Sequence, residues 1–472
     1  MATENTHYGA EAIAKMLASC RSIFFIGIGG INMSSLAHIS HKRGYRTGGS
    51  DRTRTELTDH LVAQGIDIVY EHRAQNVDSY DAVVYTVAIS PDNPEYLRAK
   101  ERGIPCISRA DYLGYLMTAY TRRIGVAGMH GKSSCTSMCA HTLIQADAVP
   151  TVLSGAELSV MNGAYTVGGE ENFVFEACEY MDSFLDFNPT VAVILNIEMD
   201  HVDYFHSMEQ IRTSFARYAA LTGKNGYAVL NGDDPEVLTA LKEYEGNRVT
   251  FGIHAENLTL RATKITCDRG KYAFDVLSEG NYFCHISLTV TGFHHIYNAL
   301  ACVAVCRLCG LSPTQIEQGL HSFAGAKRRM EYKGTLNGAE VYDDYGHHPT
   351  EIRATLEGAR GLPREGGRLF CVYQPHTYSR THALFEDFSH AFGDADRVLM
   401  VDIYAARETD TLGVSSALLA QRIGARAVAC GDVDGAAEIL LREVTDRDAV
   451  IIMGAGDIYR IYRYLPLLEQ TP

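Results

Sequence analysis

The chain has 472 residues, 46% of them hydrophobic and 21% charged, and a formal net charge of −15. That length exceeds one ordinary core and predicts about three domains. The acidic balance provides no basic field for nucleic acid or a membrane surface, yet it leaves room for small anions held by local cations or a metal.

The polar start MATENTHYGA has no signal-peptide core, and no apolar run is long enough to span a bilayer. Twelve cysteines are scattered along the chain. Cys302, Cys306 and Cys309 read as buried helical cysteines, with a metal or redox role for the CxxC pair Cys306/Cys309 as the alternative. A reducing cytoplasm is the expected compartment.

SIFFIGIGGINMSSLAHISHKRG predicts a strand (Ser22–Ile26), a glycine turn and an amphipathic helix. Further strands are expected at DIVY and DAVVYTVAIS, so residues 1–118 form an open α/β domain. Gly27, Gly29 and Gly30 follow the first strand, and Asp51 lies about twenty residues on, as a ribose-binding acid would. The third glycine of a dinucleotide fingerprint would fall at Asn32 or Met33. A pyrophosphate over a helix N-terminus therefore fits better than NAD.

In residues 119–325, RRIGVAGMHGKSS predicts a strand through Ile124–Ala127, a turn at Gly128-Met129-His130-Gly131, and a helix from Lys132. Such a turn binds phosphate through backbone N–H groups and the helix dipole. Lys132 would reach the outer phosphates, and the Ser133 hydroxyl would ligate Mg²⁺. The usual first glycine of a phosphate loop is replaced by Val126, so a glycine-rich connector remains the alternative. Glu176 ends the strand in FVFEACEY, where it would hold a metal or simply be solvated. Asp200, His201 and Asp203 follow the strand in TVAVILNIEMDH, as metal-supporting groups or an ordinary loop. A further strand is expected at GYAVLNGDD, antiparallel strands in 250–290, and a helix at HHIYNALACVAVCRLCG.

Residues 326–472 carry strand patterns at GRLFCVYQ, RVLMVDIY and AVIIMGAG. Lys327, Arg328 and Arg329 precede VYDDYGHHPTEI, which gathers two Asp, two His and a Tyr. Arginines suit developing phosphoryl charge, a solvated linker being the alternative. QPHTYSRTHALF adds His376 and Arg380 after a strand.

Taken together, GIGGINMSSLA, GMHGKSS, DDYGHHPTEI, QPHTYSRTHALF and GAGDIYRI resemble motifs of the Mur ligases, ATP-dependent amide-forming enzymes of peptidoglycan assembly. The match spans nearly the whole chain, and DDYGHHPTE is its most specific string. The resemblance implies an α/β fold of three domains: a Rossmann-like UDP-sugar-binding domain (1–118), a central P-loop ATPase domain (119–325) and a Rossmann-like C-terminal domain (326–472). It implies a cytoplasmic enzyme, monomeric or a weak homodimer, that uses ATP and Mg²⁺ to join L-alanine to UDP-N-acetylmuramate through an acyl phosphate. Neither nucleic acid nor membrane is an expected partner.

Residue by residue, the resemblance gives ATP to Gly128, Met129, His130, Gly131, Lys132, Ser133 and Ser134, with Asn298, Arg329 and Asp344. Ser133, Glu176 and His201 would serve the metal. Gly29, Gly30, Asn32, Met33 and Ser34, with Asp51, His72 and Thr86, would bind the UDP-sugar. His347, His376 and Arg380 would face the muramate carboxylate and the alanine. Lys132, Glu176, His201, Arg329, Asp344 and His347 form the catalytic set. Departures from the family pattern fall at Met129, at Ser133-Ser134-Cys135, at His295 and at Thr377. No lysine lies between Asp200 and Lys224, so the carbamylated lysine of sibling ligases is not expected there. Competing readings are a recycling ligase that adds an intact tripeptide, an NAD-dependent oxidoreductase, and a non-catalytic nucleotide-binding scaffold.

Overall fold

Apolar strands feeding glycine turns and helices assemble into predominantly parallel sheets, as the alternating pattern predicts. The structure is a computed structural model that describes residues 3–201, 204–406, 408–410 and 412–468. Asp203 lies outside the described residues. The chain divides into two compact units. Unit 1 comprises Met1–Ile197, Glu209–Thr250 and Val305–Gly310, and unit 2 comprises Glu198–Met208, Phe251–Ala304 and Leu311–Pro472.

Unit 1 contains one whole sheet and part of a second. The first has five parallel strands in the spatial order Asp67–Val69, Arg46–Ser50, Ser22–Ile26, Ala82–Tyr85, Cys106–Ser108. Ser22–Ile26 is buried throughout, which accounts for its uninterrupted apolar run. Its neighbour Arg46–Ser50 (RTGGS) has no strand-like sequence signal. Gly48 and Gly49 are small there because Tyr80 and Ile28 occupy the space that side chains would take.

Six neighbouring strands of a ten-stranded sheet follow in the order Tyr227–Asn231, Val191–Ile194, Arg122–Ala127, Asn172–Glu176, Thr151–Leu158, Gly163–Thr166. All these neighbours are parallel except the last pair. Val126 is buried within the central strand, so the glycine turn is confined to the four residues Gly128–Gly131. The long helix Lys132–Gln145 follows at once.

Unit 2 holds the antiparallel strands Leu260–Asp268, Lys271–Ser278 and Asn281–Thr291, as the polar alternation predicts. Helix His294–Leu308 begins in this unit, with Cys302 buried, and its last turn, with the buried Cys306, is counted in unit 1. The C-terminal sheet runs Glu331–Leu336, Ala339–Asp344, Ala449–Met453, Leu369–Tyr373, Arg397–Val401, Ala427–Gly431. Only its first pair is antiparallel. Cys371 and Tyr373 join one buried cluster while Phe370 and Val372 join the other, so both faces of this sheet are covered. Among the described residues, no helix is long and apolar enough to cross a membrane.

Candidate active site

The phosphate loop owes its shape to two glycines. Gly131, the N-cap of the following helix, has φ +81°, and Gly128 has φ +142°, both in the region that favours glycine. Asn196, just past strand Val191–Ile194, pins the turn from outside. Its side-chain oxygen accepts the His130 N–H at 2.9 Å, and its amide donates to the His130 carbonyl at 3.0 Å. Met129 is buried, and it is its backbone carbonyl, which any residue at 129 would offer, that accepts from Lys132.

Lys132 folds back over the loop, donating to Gly128 O at 2.6 Å, Met129 O at 3.1 Å and Glu179 at 3.0 Å. Burial works against its charge. The carboxylates of Glu179 and Glu176, with Cys178, outweigh that and hold its pKa above the ordinary lysine value. Ser133 Oγ donates to Glu176 Oε2 at 3.1 Å, and the Gly155 N–H donates to Glu176 Oε1. A hydroxyl and a carboxylate side by side at a phosphate loop form an oxygen-donor pair that suits Mg²⁺. Ser134 is buried in the first helical turn.

The expected UDP-sugar residues in unit 1 gather at the carboxyl ends of the first sheet's strands, where doubly wound folds take ligands. Asp51 accepts the Gly29 N–H at 2.9 Å and also caps the turn at Arg52 and Thr53, so it braces the glycine turn. The Thr86 methyl fills the space above Gly27. His72 is tied through Nδ1 to the fully buried Glu95 at 2.7 Å, together with Ser50 and Asn76. The side chains of Met33 and Ser34 are buried, the first packed in the core and the second bonded to Ile31 O, because this face of the helix turns inward, which leaves their backbone as the part available to a pyrophosphate. Asn32 and Gly30 lie on the exposed side.

In unit 2, Glu351 is the hub. Its carboxylate accepts the backbone N–H groups of His347 (2.9 Å) and His348 (3.2 Å), capping helix Pro349–Ala359, and lies 3.8 Å from Arg329. Asp344, expected at the nucleotide, has another job here. It is buried, and its two oxygens accept the N–H groups of Met330 (2.9 Å) and Gly346 (2.7 Å), fastening the arginine-bearing turn to the DYGHHP loop. Burial pushes its carboxyl up to about 6, against the charge of Arg329. Arg328 and Arg329 both cover the Tyr345 ring.

His376 stacks on Tyr404 and lies 3.4 Å from Arg380, which approaches Asp200 at 3.8 Å. Burial would raise the Asp200 carboxyl, but charge from His201, Arg380 and His348 outweighs it and holds it at about 2. Thr377 caps the short helix Tyr378–Ala383 by accepting the Arg380 N–H, which gives the departure at 377 a local role. His295 contacts the expected nucleotide residue Asn298 at 3.3 Å, and its ring lies tilted against that of His294.

Burial, helped by the nearby Arg380 and Arg329, pushes His347 and His294 down to about 4, so both are neutral at pH 7. Their folded pKa values lie below the unfolded one, so their share of stability is present above pH 6.5 and lost as pH falls towards 4. Denaturant unfolding at pH 7 and pH 4.5 checks this. The wild-type loss is expected to shrink by about 2 kcal/mol in His347→Gln, and an unchanged loss would contradict it.

Sequence reasoning missed Glu179, Asn196 and Glu351 as site residues. All three sit inside quoted motif strings, but their partners lie 47, 66 and 22 residues away (Lys132, His130 and Arg329).

Three family descriptions match this chain in succession: "Mur ligase family, catalytic domain" over 22–121, "Mur ligase middle domain" over 126–306, and "Mur ligase, glutamate ligase domain" over 328–456. The chain belongs to the Mur ligase family. Among curated Mur ligases, it is 43% identical to the UDP-N-acetylmuramate–L-alanine ligase of Clostridium novyi over 444 residues, 93% of this chain and 96% of that one. It is 44% identical to the enzyme of the same name from Caldanaerobacter subterraneus over 449 residues, 94% of this chain and 97% of that one. The crystal structure of a UDP-N-acetylmuramate–alanine ligase from Thermotoga maritima superposes with a TM-score of 0.77 at 28% identity, covering 94% of this Mur ligase and 98% of that chain.

Proposed function

We propose that this Mur ligase joins L-alanine to the lactyl carboxylate of UDP-N-acetylmuramate, converting ATP to ADP and phosphate, in peptidoglycan precursor synthesis. The observation that carries the reading is full-length identity to alanine-adding ligases, matched by a phosphate loop and a glycine loop in one unit. The carboxylate oxygen attacks the γ-phosphorus and ADP leaves, giving an acyl phosphate. The alanine amine then attacks the acyl carbon, phosphate departs and the amine proton is lost. Positioning and charge neutralisation supply the rate enhancement.

In this reading the loop N–H groups and Lys132 hold the phosphates. Ser133 and Glu176 would hold Mg²⁺, which when bound neutralises charge on the phosphate oxygens. Gly29, Gly30 and Asn32 face the UDP diphosphate, with Asp51 bracing their turn. His201 is a further metal candidate. Asn298, Arg329 and Asp344 are assigned to the nucleotide side, with Asp344 acting by positioning the arginine turn. His347, His376 and Arg380 are assigned to the carboxylate and the amine. His347, neutral at pH 7, suits a hydrogen-bond acceptor or base better than a cation. The three sheets support domains at 1–118, 119–325 and 326–472. A cytoplasmic monomer or weak homodimer acting on small molecules completes the reading.

The test offers Mg-ATP and UDP-N-acetylmuramate with L-alanine, glycine, L-serine or the murein tripeptide in separate reactions and follows phosphate release. Release dependent on L-alanine is expected. Release with tripeptide alone would make the chain a recycling ligase, and an absence of release with every acceptor would make it a scaffold.

A further inference from the structure

Glu95 has a fully buried side chain, yet it lies at the carboxyl edge of the first sheet, where the UDP diphosphate is expected. It is the second residue of helix Pro94–Glu101, and the Asn93 side chain accepts its N–H at 3.0 Å. Ser50 Oγ donates to Glu95 Oε2 at 2.7 Å, and the Asn76 amide donates to Oε1 at 2.6 Å. His72 Nδ1 meets Oε2 at 2.7 Å. Ser50, the last residue of strand Arg46–Ser50, ties this network to the glycine turn, because its carbonyl accepts the N–H groups of Gly27 at 2.8 Å and Ile28 at 3.0 Å. A buried anion therefore stands behind the turn assigned to a second anion. Alone it would oppose diphosphate binding.

The hydrogens of the network assign the His72 ring. The Ser50 hydroxyl has one hydrogen and gives it to Glu95, so towards His72 Nδ1, at 3.2 Å, it can only accept. Nδ1 therefore carries a proton and donates to Glu95. A buried carboxylate needs a counter-charge, and among the described residues His72 is the only ion-pair partner of Glu95. The His72 side chain is 16% exposed. Its Nε2 has no hydrogen-bond partner among the described residues and is not enclosed. One ring nitrogen is thus committed to the buried acid, and the opposite one is open to a ligand.

We propose that Glu95 is a positioning residue for UDP-sugar binding, keeping His72 protonated on both ring nitrogens so that Nε2–H donates to the UDP diphosphate as a charged group. This rests on the reading of the chain as a UDP-N-acetylmuramate ligase and deepens it. The glycine turn supplies neutral N–H donors, and the imidazolium adds charge, which makes its hydrogen bond roughly twice as strong as theirs. The bond that one imidazole nitrogen makes decides what the other can do, and here a buried carboxylate makes that bond.

The test titrates the full-length wild type, Glu95→Gln, His72→Gln and the double variant with UDP-N-acetylmuramate, UDP and uridine. Thermal melts and Mg-ATP binding establish that the variants fold, and Gln at 95 still offers His72 an amide oxygen. Each single variant is expected to bind UDP-N-acetylmuramate and UDP on the order of 10- to 100-fold more weakly, the range for a charge-assisted hydrogen bond, and uridine as the wild type does. Coulomb's law alone gives Glu95→Gln the opposite sign, because the substitution removes a negative charge beside a bound anion. Tighter or unchanged binding of UDP by Glu95→Gln would therefore overturn the proposal, as would an equal loss towards uridine. The double variant is expected to bind no more weakly than His72→Gln, since Glu95 acts through His72, and additive losses would contradict that. A second measurement needs no Glu95 variant. In wild type grown with nitrogen-15 histidine, the His72 ring signals, identified by their loss in His72→Gln, are expected to show two protonated nitrogens at pH 7.5. One unprotonated nitrogen would overturn the proposal. If the wild type releases phosphate with L-alanine while any of these contrary results holds, the ligase reading stands and the Glu95 assignment alone fails. A wild type that does not bind UDP-N-acetylmuramate would bring down both.

Discussion

Replacing Lys132 by alanine is expected to abolish turnover while leaving UDP-sugar binding intact. The ammonium sits over the phosphate loop, bonded to Gly128 O and Met129 O, so it is the protein cation placed to meet charge developing on the outer phosphates. Losing such a group costs on the order of 10³-fold or more in rate. The glycine turn that takes the UDP diphosphate is braced separately by Asp51, which is why its affinity survives. The substitution also strands Glu179, fully buried and paired to Lys132 at 3.0 Å, at a stability cost of about 3–5 kcal/mol. Glu179→Gln in the same chain removes the stranded charge. The double variant should therefore regain stability and keep UDP-sugar binding without regaining activity. A folded double variant with near-normal phosphate release would show that Lys132 serves only the fold.

Asp344→Asn is expected to lower activity by about 10²-fold, in line with loss of a pre-organised electrostatic contact, while the protein gains stability relative to wild type as pH rises. The carboxylate accepts two backbone N–H groups, from Met330 and Gly346, and an amide oxygen can keep only one of them. The turn carrying Arg328 and Arg329 then loosens from the DYGHHP loop. The stability effect has the opposite sign at neutral pH. Burial raises the folded carboxyl to about 6, so the folded state holds a proton that the unfolded chain releases near pH 4. Wild-type stability accordingly falls as pH climbs from about 4 through 6, by about 3 kcal/mol for this one group. Asparagine does not titrate, and the variant is spared that fall. Denaturant unfolding of both proteins at pH 4.5 and 7.5 reads the difference, and parallel pH profiles would contradict it. A residue that costs stability yet fixes the arginine turn is what a site retained for function looks like.

The strand Ser22–Ile26, the turn Gly128–Gly131 and the helix from Lys132 were legible because burial on both faces and a tight turn both leave local marks: an apolar run and glycines. Arg46–Ser50 was not legible, since its glycines answer to Tyr80 and Ile28, which other segments supply. The same limit governs the site. Glu176 could be placed at a strand end from its neighbours, but the division of labour between Glu176 on Ser133 and Glu179 on Lys132 depends on how the segment after the strand bends. Met33 and Ser34 fell within a plausible loop motif, and only the helix's packing shows that their side chains face inward.

The central claim is that a carboxylate oxygen of the UDP-sugar attacks the γ-phosphate before the amine enters. Oxygen-18 in the lactyl carboxylate of UDP-N-acetylmuramate tests it, with ATP and L-alanine supplied and the released phosphate analysed by mass spectrometry. One heavy oxygen is predicted to pass from the carboxylate to each phosphate released, with Lys132→Ala releasing none. Phosphate that carries no label, while UDP-N-acetylmuramoyl-L-alanine accumulates, would contradict the acyl-phosphate account.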